Sequence, residues 1–320
     1  MTRPNCLNEF PRLKSSPGDG GFLQVLIQEL TLRRLKGEGL EVVITVDDDR
    51  PCLPHSRLKK NLAAWLDQQA GQKLEARAAE FRNRAAVGDT TTLHHESFCF
   101  RHASGGIFPW LDEVEPLALL FYRDIHPIGW NIANGASANR SELGALDAVI
   151  QREAEEEILF FDPRTKTLST LAQAEIPSEL EKALGLWQKK LVLAPKAPRR
   201  LDLQDQALGS DRLRVIDRQG TTIVTENLFL EIQAEDFGLE AARVARIAAA
   251  TALIPLDGEI LGGQLLDRPV GLFSRDALRQ ELPIPARWYQ GGAPGLAAPP
   301  RAPLCPITRR LTRRLGTADG

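Results

Sequence analysis

The sequence predicts an α/β fold, and a small number of segments carry that prediction. Residues 116–122 form an uninterrupted apolar run, which is typical of a strand buried on both faces. Residues 141–159 repeat apolar side chains at helical spacing between charged ones. Later in the chain, residues 212–216 and 228–232 are rich in apolar and β-branched side chains that favour strands. Strands on either side of a helix are expected of a sheet covered by helices.

The N-terminal third of the chain is predicted to precede this region as two segments. Residues 1–20 hold several prolines and lead into a glycine-rich run, so we expect a flexible leader there. Residues 21–104 are expected to form a strand-and-helix extension that caps the site or mediates dimerisation. Within it, residues 40–46 are typical of a β-branched strand, whereas residues 56–87 repeat Leu and Trp at the spacing of an amphipathic helix.

The remaining elements follow from apolar spacing and from helix-breaking prolines. The helix over residues 141–159 is expected to end before Asp162 and Pro163, because a proline ring disfavours helical geometry in the preceding residue. Residues 283–320 contain seven of the 21 prolines and two Arg-Arg pairs, so we expect a disordered Pro/Gly/Arg-rich tail. Further elements are predicted at residues 177–190 (helix), 239–252 (helix) and 270–273 (strand).

The composition excludes functions that depend on a global electrostatic field. Forty Lys and Arg residues against 42 Asp and Glu residues leave a formal net charge of −2. Binding to nucleic acid is therefore not expected without a local basic patch, and neither is binding to a membrane. No apolar run approaches the ~20 residues of a spanning helix, and the N-terminus has no apolar signal core. The four cysteines lie far apart, so we expect a cytoplasmic protein with unpaired thiols.

The residues that carry chemistry lie on the predicted helix over residues 141–159. Each residue of an α-helix turns by about 100°, so positions i, i+3 and i+4 share one face. Glu153, Glu156 and Glu157 therefore lie on one face, and Glu155 lies roughly opposite. Carboxylates without interleaved Lys or Arg repel one another. A divalent cation removes that repulsion, and hard oxygen ligands favour Mg²⁺ or Mn²⁺ over zinc.

This helix and the loop before it resemble the Nudix hydrolase family. The family's motif reads G-x5-E-x7-R-E-U-x-E-E-x-G-U, where U is a bulky aliphatic residue. Residues 135–160 read G-x6-E-x9-R-E-A-x-E-E-x-L-F, with the R-E-x-x-E-E core intact, and the preceding W-N-I-A-N-G resembles the family's W-x-x-P-G-G loop. The chain departs from the motif in both spacers, in Ala154 at the aliphatic position and in Leu159 at the closing glycine.

The resemblance implies a fold, a reaction and a set of site residues. The fold is a Nudix-like α/β/α sandwich with a mixed sheet over residues 105–282. The reaction is Mg²⁺-dependent hydrolysis of a nucleoside diphosphate linked to another moiety, with Mn²⁺ as a substitute metal. The residues implied in that reaction are Glu153, Glu156 and Glu157 as metal ligands and catalytic groups, Arg152 as a catalytic residue beside them, Gly135 and Trp130 as substrate-binding residues, one of the helix glutamates or Glu259 as the general base, and Glu142 as a further ligand.

A second interpretation keeps the same fold without hydrolysis. Because Ala154 and Leu159 depart from the motif, the domain is alternatively a non-catalytic module that binds a nucleotide and regulates or recruits a partner. In either interpretation the ligand is derived from a nucleotide, and the N-terminal extension makes a homodimer an expected assembly. The basic segment over residues 309–315 is interpreted as a solvated chain end rather than a nucleic-acid contact.

Overall fold

The structure is a computed structural model, and it covers the second half of the chain more fully than the first. The predicted leader, the helical segments over residues 56–87 and 177–190, and Glu142 lie outside the described residues. The described residues are 23–24, 27–35, 39–46, 53–54, 91–94, 103–111, 115–124, 127–136, 146–170, 199–200, 203–206, 208–217, 219–232, 239–247, 253–261, 264–265 and 268–317.

Strands dominate the described residues, with helices placed between them or after them. The strands are β1 (Leu23–Gln24), β2 (Ile27–Arg34), β3 (Leu40–Val46), β4 (Leu53–Pro54), β5 (Thr91–His94), β6 (Ala103–Leu111), β7 (Leu117–Arg123), β8 (Gly129–Asn131), β9 (Ala133–Ala136), β10 (Ile158–Asp162), β11 (Thr167–Thr170), β12 (Arg199–Arg200), β13 (Leu203–Gln206), β14 (Asp211–Ile216), β15 (Thr222–Ile232), β16 (Leu239–Ile247), β17 (Ile254–Asp257), β18 (Ile260–Leu261), β19 (Gln264–Leu265), β20 (Val270–Phe273), β21 (Arg287–Gln290) and β22 (Ala293–Pro294). The helices are α1 (Leu146–Glu157), α2 (Arg275–Leu278) and α3 (Pro306–Thr317).

The chain divides into two compact units that interleave along the sequence. Unit 1 comprises residues 1–105, 136–149 and 209–241, and unit 2 comprises residues 106–135, 150–208 and 242–320. The sequence predicted contiguous domains with a boundary between residues 104 and 105. A unit boundary falls close to that position, but residues 209–241 belong to unit 1 because β14 pairs with β3.

Unit 1 is built around a sheet in the order β5-β2-β3-β14-β15. The β2–β3 and β14–β15 pairs are antiparallel, whereas β14 runs parallel to β3 with Arg214 opposite Val43. Buried and partly exposed residues alternate along β14, as expected for a strand with one face on a core. Val42, Ile44 and Leu213 contribute to that core.

Unit 2 contains two sheet regions that matter for the site. In one, the order is β22-β21-β20-β7, and β8 also pairs with β7. The predicted strand over residues 116–122 is confirmed as β7, and its first five residues are buried, as an apolar run predicts. The other region is a four-stranded sheet in the order β12-β11-β10-β17. It places the end of helix α1 beside β17, because β10 begins directly after the helix.

Two predicted elements differ from the structure. Residues 239–252 have alanine-rich helical spacing, yet residues 239–247 form strand β16, which pairs with β13. Pairing and burial therefore override the local helix propensity. Residues 283–320 were expected to be disordered, but helix α3 ends the described chain. Pro306 occupies the first turn of α3, where proline is tolerated, and Ile307 and Leu311 are buried one turn apart.

The segment before α3 docks on β8 through its backbone. The Trp130 N–H donates to the Pro303 carbonyl at 2.9 Å, and the Cys305 N–H donates to the Trp130 carbonyl at 2.9 Å. The buried Thr308 hydroxyl accepts from the Ile132 N–H at 3.1 Å. These contacts satisfy the polar groups of the segment and compensate for its ordering entropy. No helix among the described residues is long and apolar enough to cross a membrane.

Candidate functional site

Helix α1 directs two of its glutamates inward. Leu146, Ile150 and Ala154 are buried at positions i, i+4 and i+8, and they mark the face of the helix that packs on the protein. Glu153 lies on that face and is only 5% exposed. Glu157 follows one turn later on the same face, with 12% of its side chain exposed. Glutamate is almost never buried without a partner, yet the apolar face of α1 contains two glutamates.

Glu156 lies farther out than the spacing argument implied. Half of its side chain is exposed, although it is one residue from Glu157. Arg152 Nη1 lies 2.7 Å from Glu153 Oε1 and 3.0 Å from Glu156 Oε2, so one guanidinium bridges an inner and an outer carboxylate. Arg152 thus lies beside the acidic face and holds Glu153 through a charge-assisted contact.

The turn after β17 brings two more acids to the end of α1. The Gly258 N–H donates to the Glu157 carbonyl at 2.9 Å, and it satisfies one of the carbonyls left open at a helix C-terminus. The Glu259 N–H donates to Asp257 Oδ1 at 2.9 Å. Ile158 pairs with Asp257 in the sheet, which fixes this turn against the helix.

The same arrangement explains the departure from the motif at Leu159. Helix α1 passes into β10 without a loop, and Leu159 is fully buried in a cluster with Phe161 and Leu256. A glycine is not needed to turn the chain at this point. The C-terminal carbonyl of the helix is instead capped from outside by Gly258.

Arg268 is the cation at the centre of the inner acids. Its guanidinium contacts Asp257 through two nitrogens, one of them at 3.1 Å, and it also contacts Glu259. Its Nη2 lies 3.9 Å from Glu157 Oε1. Sequence reasoning named Glu259 but missed both Arg268 and Asp257. The acid directly before Gly258 was a signal for Asp257, whereas nothing in the sequence around Arg268 distinguishes it from other arginines.

The electrostatics of the inner acids favour their neutral forms. Burial raises the pKa of Glu153 to about 7, with Arg152 opposing the shift and Glu156 and Glu259 adding to it. Burial also raises the pKa of Glu157 well above its ordinary value, and the charges of Glu153, Asp257 and Glu259 raise it further. Burial likewise raises the pKa of Asp257 despite its bonds to Arg268. Burial is thus the main cause of these shifts, and the neighbouring acids add to it against the opposing charges of Arg152 and Arg268.

Strand β9 forms the wall opposite the helix. The Asn134 N–H donates to Glu157 Oε2 at 3.0 Å, which fixes the orientation of that carboxylate. At Gly135, a Cβ would lie 2.1 Å from Glu153 Oε1, so a larger residue would displace the Glu153 carboxylate from its present position. Gly135 thus lies beside a site carboxylate, and its predicted contact with substrate stays a prediction.

Trp130, which was predicted to bind substrate, lies in the core. It is fully buried, and its ring packs against Tyr122 and Phe273 at centroid distances of 5.5 and 5.0 Å. A side chain with no exposed surface offers nothing to a ligand, so the predicted contact does not fit this structure. The start of the W-N-I-A-N-G segment instead anchors β8 in the core and lets its end reach Glu157.

The donor set fits a divalent cation in its chemistry. Within the described parts of the chain, no three His, Cys, Asp or Glu side chains converge as an all-protein metal cage requires. Mg²⁺ seldom uses such a cage, because it keeps several waters and takes one or two carboxylates together with substrate phosphates. Glu153 and Glu157 are hard oxygen donors whose charges are mutually unfavourable, which is the situation that a bound dication relieves.

Comparison with known proteins gives a limited result. No protein-family model matches the chain, and no curated protein is similar to it. Among solved structures, the chain is similar to a Nudix hydrolase from M. smegmatis, RenU, at 13% identity and a TM-score of 0.29, covering 68% of this chain and 86% of the other. It is also similar to a MutT/nudix family protein from Enterococcus faecalis at 11% identity and a TM-score of 0.30, covering 82% and 74% respectively. Likenesses at these TM-scores say nothing about which residues act or on what.

Proposed function

We propose that unit 2 carries a Mg²⁺-dependent hydrolase that cleaves the diphosphate linkage of a nucleotide derivative. The observation that carries the proposal is the concentration of acids at the end of α1. Glu153 and Glu157 point inward from the helix, and Asp257 and Glu259 reach them from the turn after β17. The R-E-x-x-E-E core that resembles the Nudix motif supplies the helix residues of this group.

The excess of negative charge is the main physical support. Buried acids with raised pKa values cost stability at neutral pH, and such groups are found preferentially at functional sites. Glu153 and Glu157 would hold the metal ion through hard oxygens. When bound, Mg²⁺ would neutralise the diphosphate oxygens and favour in-line attack of water on phosphorus.

The remaining residues have distinct tasks in this proposal. The Asn134 N–H and Gly135 fix the positions of Glu157 and Glu153, so that neither carboxylate must reorganise. Arg268 orients Glu259, whose side chain is 41% exposed and therefore within reach of water and substrate. Glu259 is accordingly the proposed general base, which takes a proton from the attacking water. Arg152 holds Glu153 and keeps Glu156 at the outer edge of the site.

One contact favours the alternative function, a nucleotide-binding module without hydrolysis. Arg268 already lies against Asp257, Glu259 and Glu157, where it supplies part of the positive charge that a metal ion would bring. A guanidinium held there also binds a ligand's phosphate directly through paired N–H donors. In this alternative, phosphate binding would be independent of Mg²⁺, and no bond would be cleaved.

Phosphate release from a panel of nucleoside diphosphate derivatives, with a coupled phosphatase, tests the proposal. The wild type is compared with Glu157→Gln and with Glu155→Gln, which removes the same charge from the other side of α1. We expect Mg²⁺-dependent turnover that falls at least about 100-fold in Glu157→Gln and is unchanged within about twofold in Glu155→Gln. Folded wild type without turnover would contradict the hydrolase. Calorimetry with the same diphosphates would then show whether binding without Mg²⁺ supports the module.

A further inference from the structure

Unit 2 also contains a cavity that is lined by arginines. Its volume is about 540 Å³, within the 300–1,000 Å³ of pockets that hold small organic ligands. It lies between helices α2 and α3, and strands β6 and β16 also contribute to its lining. The arginines that line it are Arg246, Arg275, Arg279, Arg309 and Arg313, against the single acid Glu281 among its described lining residues.

The cavity is separate from the acidic site. None of the glutamates of α1, and neither Asp257 nor Glu259, is among its described lining residues. Strand β6 runs from the acidic site to the cavity. At the acidic site, Gly106 of β6 packs against Asn134, whose N–H donates to Glu157. Farther along the same strand, Trp110 lines the cavity. Four residues of extended strand separate Gly106 from Trp110, a span of about 13 Å.

The cavity combines an apolar floor with a cationic rim. Trp110, Leu278 and Leu304 line it and are 7%, 6% and 3% exposed, so they form a base that leaves little surface to solvent. The rim arginines are exposed and come from different elements, Arg246 from β16 and Arg313 from α3. The charges therefore result from the way the fold brings these elements together and not from one basic stretch of sequence.

Arg309 and Arg279 retain donors for a ligand. Arg309 donates to the Leu304 carbonyl at 3.3 Å, which uses one of its N–H groups and holds the side chain at the rim. Arg279 lies 3.5 Å from Asp276, an exposed contact of little energetic value. The Arg275 guanidinium lies 5.4 Å from the centre of the Trp110 ring, so it closes over the apolar floor.

We propose that this cavity binds a phosphate-bearing small molecule of nucleotide size, with its ring against the exposed side chain of Leu208 and its phosphates on the rim arginines. Guanidinium groups match phosphate oxygens through paired N–H donors, and several converging arginines favour more than one phosphate charge. A volume of about 540 Å³ fits one small molecule better than a polymer, so the ligand is a free nucleotide rather than a nucleic acid. The site is independent of the reaction proposed for α1.

Calorimetric titration with ADP in EDTA tests the proposal without contribution from metal-dependent binding. The wild type is compared with the double variant Arg309→Ser/Arg313→Ser and with Arg246→Ser on a different element. The control Arg164→Ser/Arg301→Ser removes the same charge from exposed positions outside the cavity. We expect ADP affinity to fall at least about tenfold in each cavity variant, to stay within about twofold in the control, and adenosine not to bind.

Several results would contradict the proposed nucleotide site. One is the absence of ADP binding to the folded wild type, and another is equal ADP affinity in the wild type and the cavity variants. An equal loss of ADP affinity in Arg164→Ser/Arg301→Ser would show that the net charge of the protein, and not the cavity, determines binding. Binding of a single-stranded oligonucleotide in EDTA without binding of ADP would assign the arginines to a nucleic-acid surface instead.

Discussion

Each unit of this protein contains a cluster of buried acid and arginine, and the two clusters differ in charge balance. In unit 1, the fully buried Glu41 contacts Arg212 Nε at 2.5 Å and Arg214 Nη2 at 3.3 Å. Glu41 thus faces two arginines, one of which also lies 4.0 Å from the exposed Glu226. In unit 2, the described contacts join only two arginines, Arg152 and Arg268, to five acids. These acids are Glu153, Glu156, Glu157, Asp257 and Glu259.

The difference in charge separates a structural ion pair from a candidate site. Glu41 lies opposite Arg212 on neighbouring strands, so its charge is compensated by the sheet that it helps to hold. Burial raises the pKa values of Glu153 and Glu157, neighbouring acids raise them further, and among the described residues the acids here exceed the arginines that contact them. Burial of acids alone is common to both clusters, and only the uncompensated charge indicates a function.

The largest expected effect breaks the unit 2 cluster at its central cation. Arg268→Met leaves Asp257 and Glu157 without their buried partner, which should cost about 3–5 kcal/mol of unfolding free energy in EDTA. Saturating Mg²⁺ should restore much of that loss, because the freed acids take up the ion. Urea unfolding with and without Mg²⁺ measures both quantities. Arg164→Met, at a position 73% exposed, is the control, and a loss that Mg²⁺ does not reduce would contradict the charge argument.

The pH dependence of stability is the next largest effect. The pKa of Glu153 is about 7 in the folded protein against an ordinary value of 4.5, so the folded state holds a proton that the unfolded state releases between these values. Stability in EDTA should therefore fall as the pH rises from 4.5 to 7, by at most about 3 kcal/mol. Glu153→Gln should flatten the profile, as should Mg²⁺. Stability that rises over this range through Glu153 would refute the shift.

Breaking the ion pair of unit 1 should also lower the free energy of unfolding, but that loss should not respond to Mg²⁺. Glu41→Gln removes the acid between Arg212 and Arg214, whose side chains are 28% and 33% exposed. Because solvent screens those arginines, the expected loss is about 2 kcal/mol, below that of a fully buried pair. Mg²⁺ should not change it. Chemical unfolding gives the value, and a recovery in Mg²⁺ equal to that of Arg268→Met would remove the distinction between the clusters.

The smallest expected effect distinguishes a change in the position of the Glu153 carboxylate from a loss of stability. Gly135→Ala places a methyl group against the Glu153 carboxylate, which should move and lower hydrolysis about tenfold, at a stability cost of about 1 kcal/mol. The control Gly220→Ala in unit 1 has a φ of +84° with open space beside it, so it should cost about 1 kcal/mol through backbone strain alone. Kinetics and thermal unfolding of both variants decide the matter. Equal activities would show that the fit at Gly135 has no role in the site.

Local sequence patterns predicted the parts of the site that lie close together in the chain. The apolar run predicted strand β7, and helical spacing predicted that Glu153, Glu156 and Glu157 share one face of α1, although not that Glu153 and Glu157 are turned inward. Arg268 and Asp257 join the site through the pairing of β10 with β17, which leaves no periodic signal in the sequence. The outward position of Glu156 depends on how α1 is rotated against the protein, and spacing alone does not fix that rotation.

The misassigned elements have the same cause. Strand β16 has helix-favouring alanines, and its conformation is set by its partner β13. Helix α3 follows a proline-rich segment whose ordering depends on backbone bonds to Trp130 from far earlier in the chain. In both cases contacts between distant residues outweigh local propensity.

The central claim is that the excess acid at α1 is held for a divalent cation. Electron paramagnetic resonance of Mn²⁺, titrated with the protein and a non-hydrolysable diphosphate analogue, tests it most directly. We predict saturable binding to the wild type and to Glu155→Gln, and a loss of at least about tenfold in affinity in Glu153→Gln/Glu157→Gln. Mn²⁺ binding that is equal in the double variant and the wild type, or absent from the folded wild type, would contradict the claim.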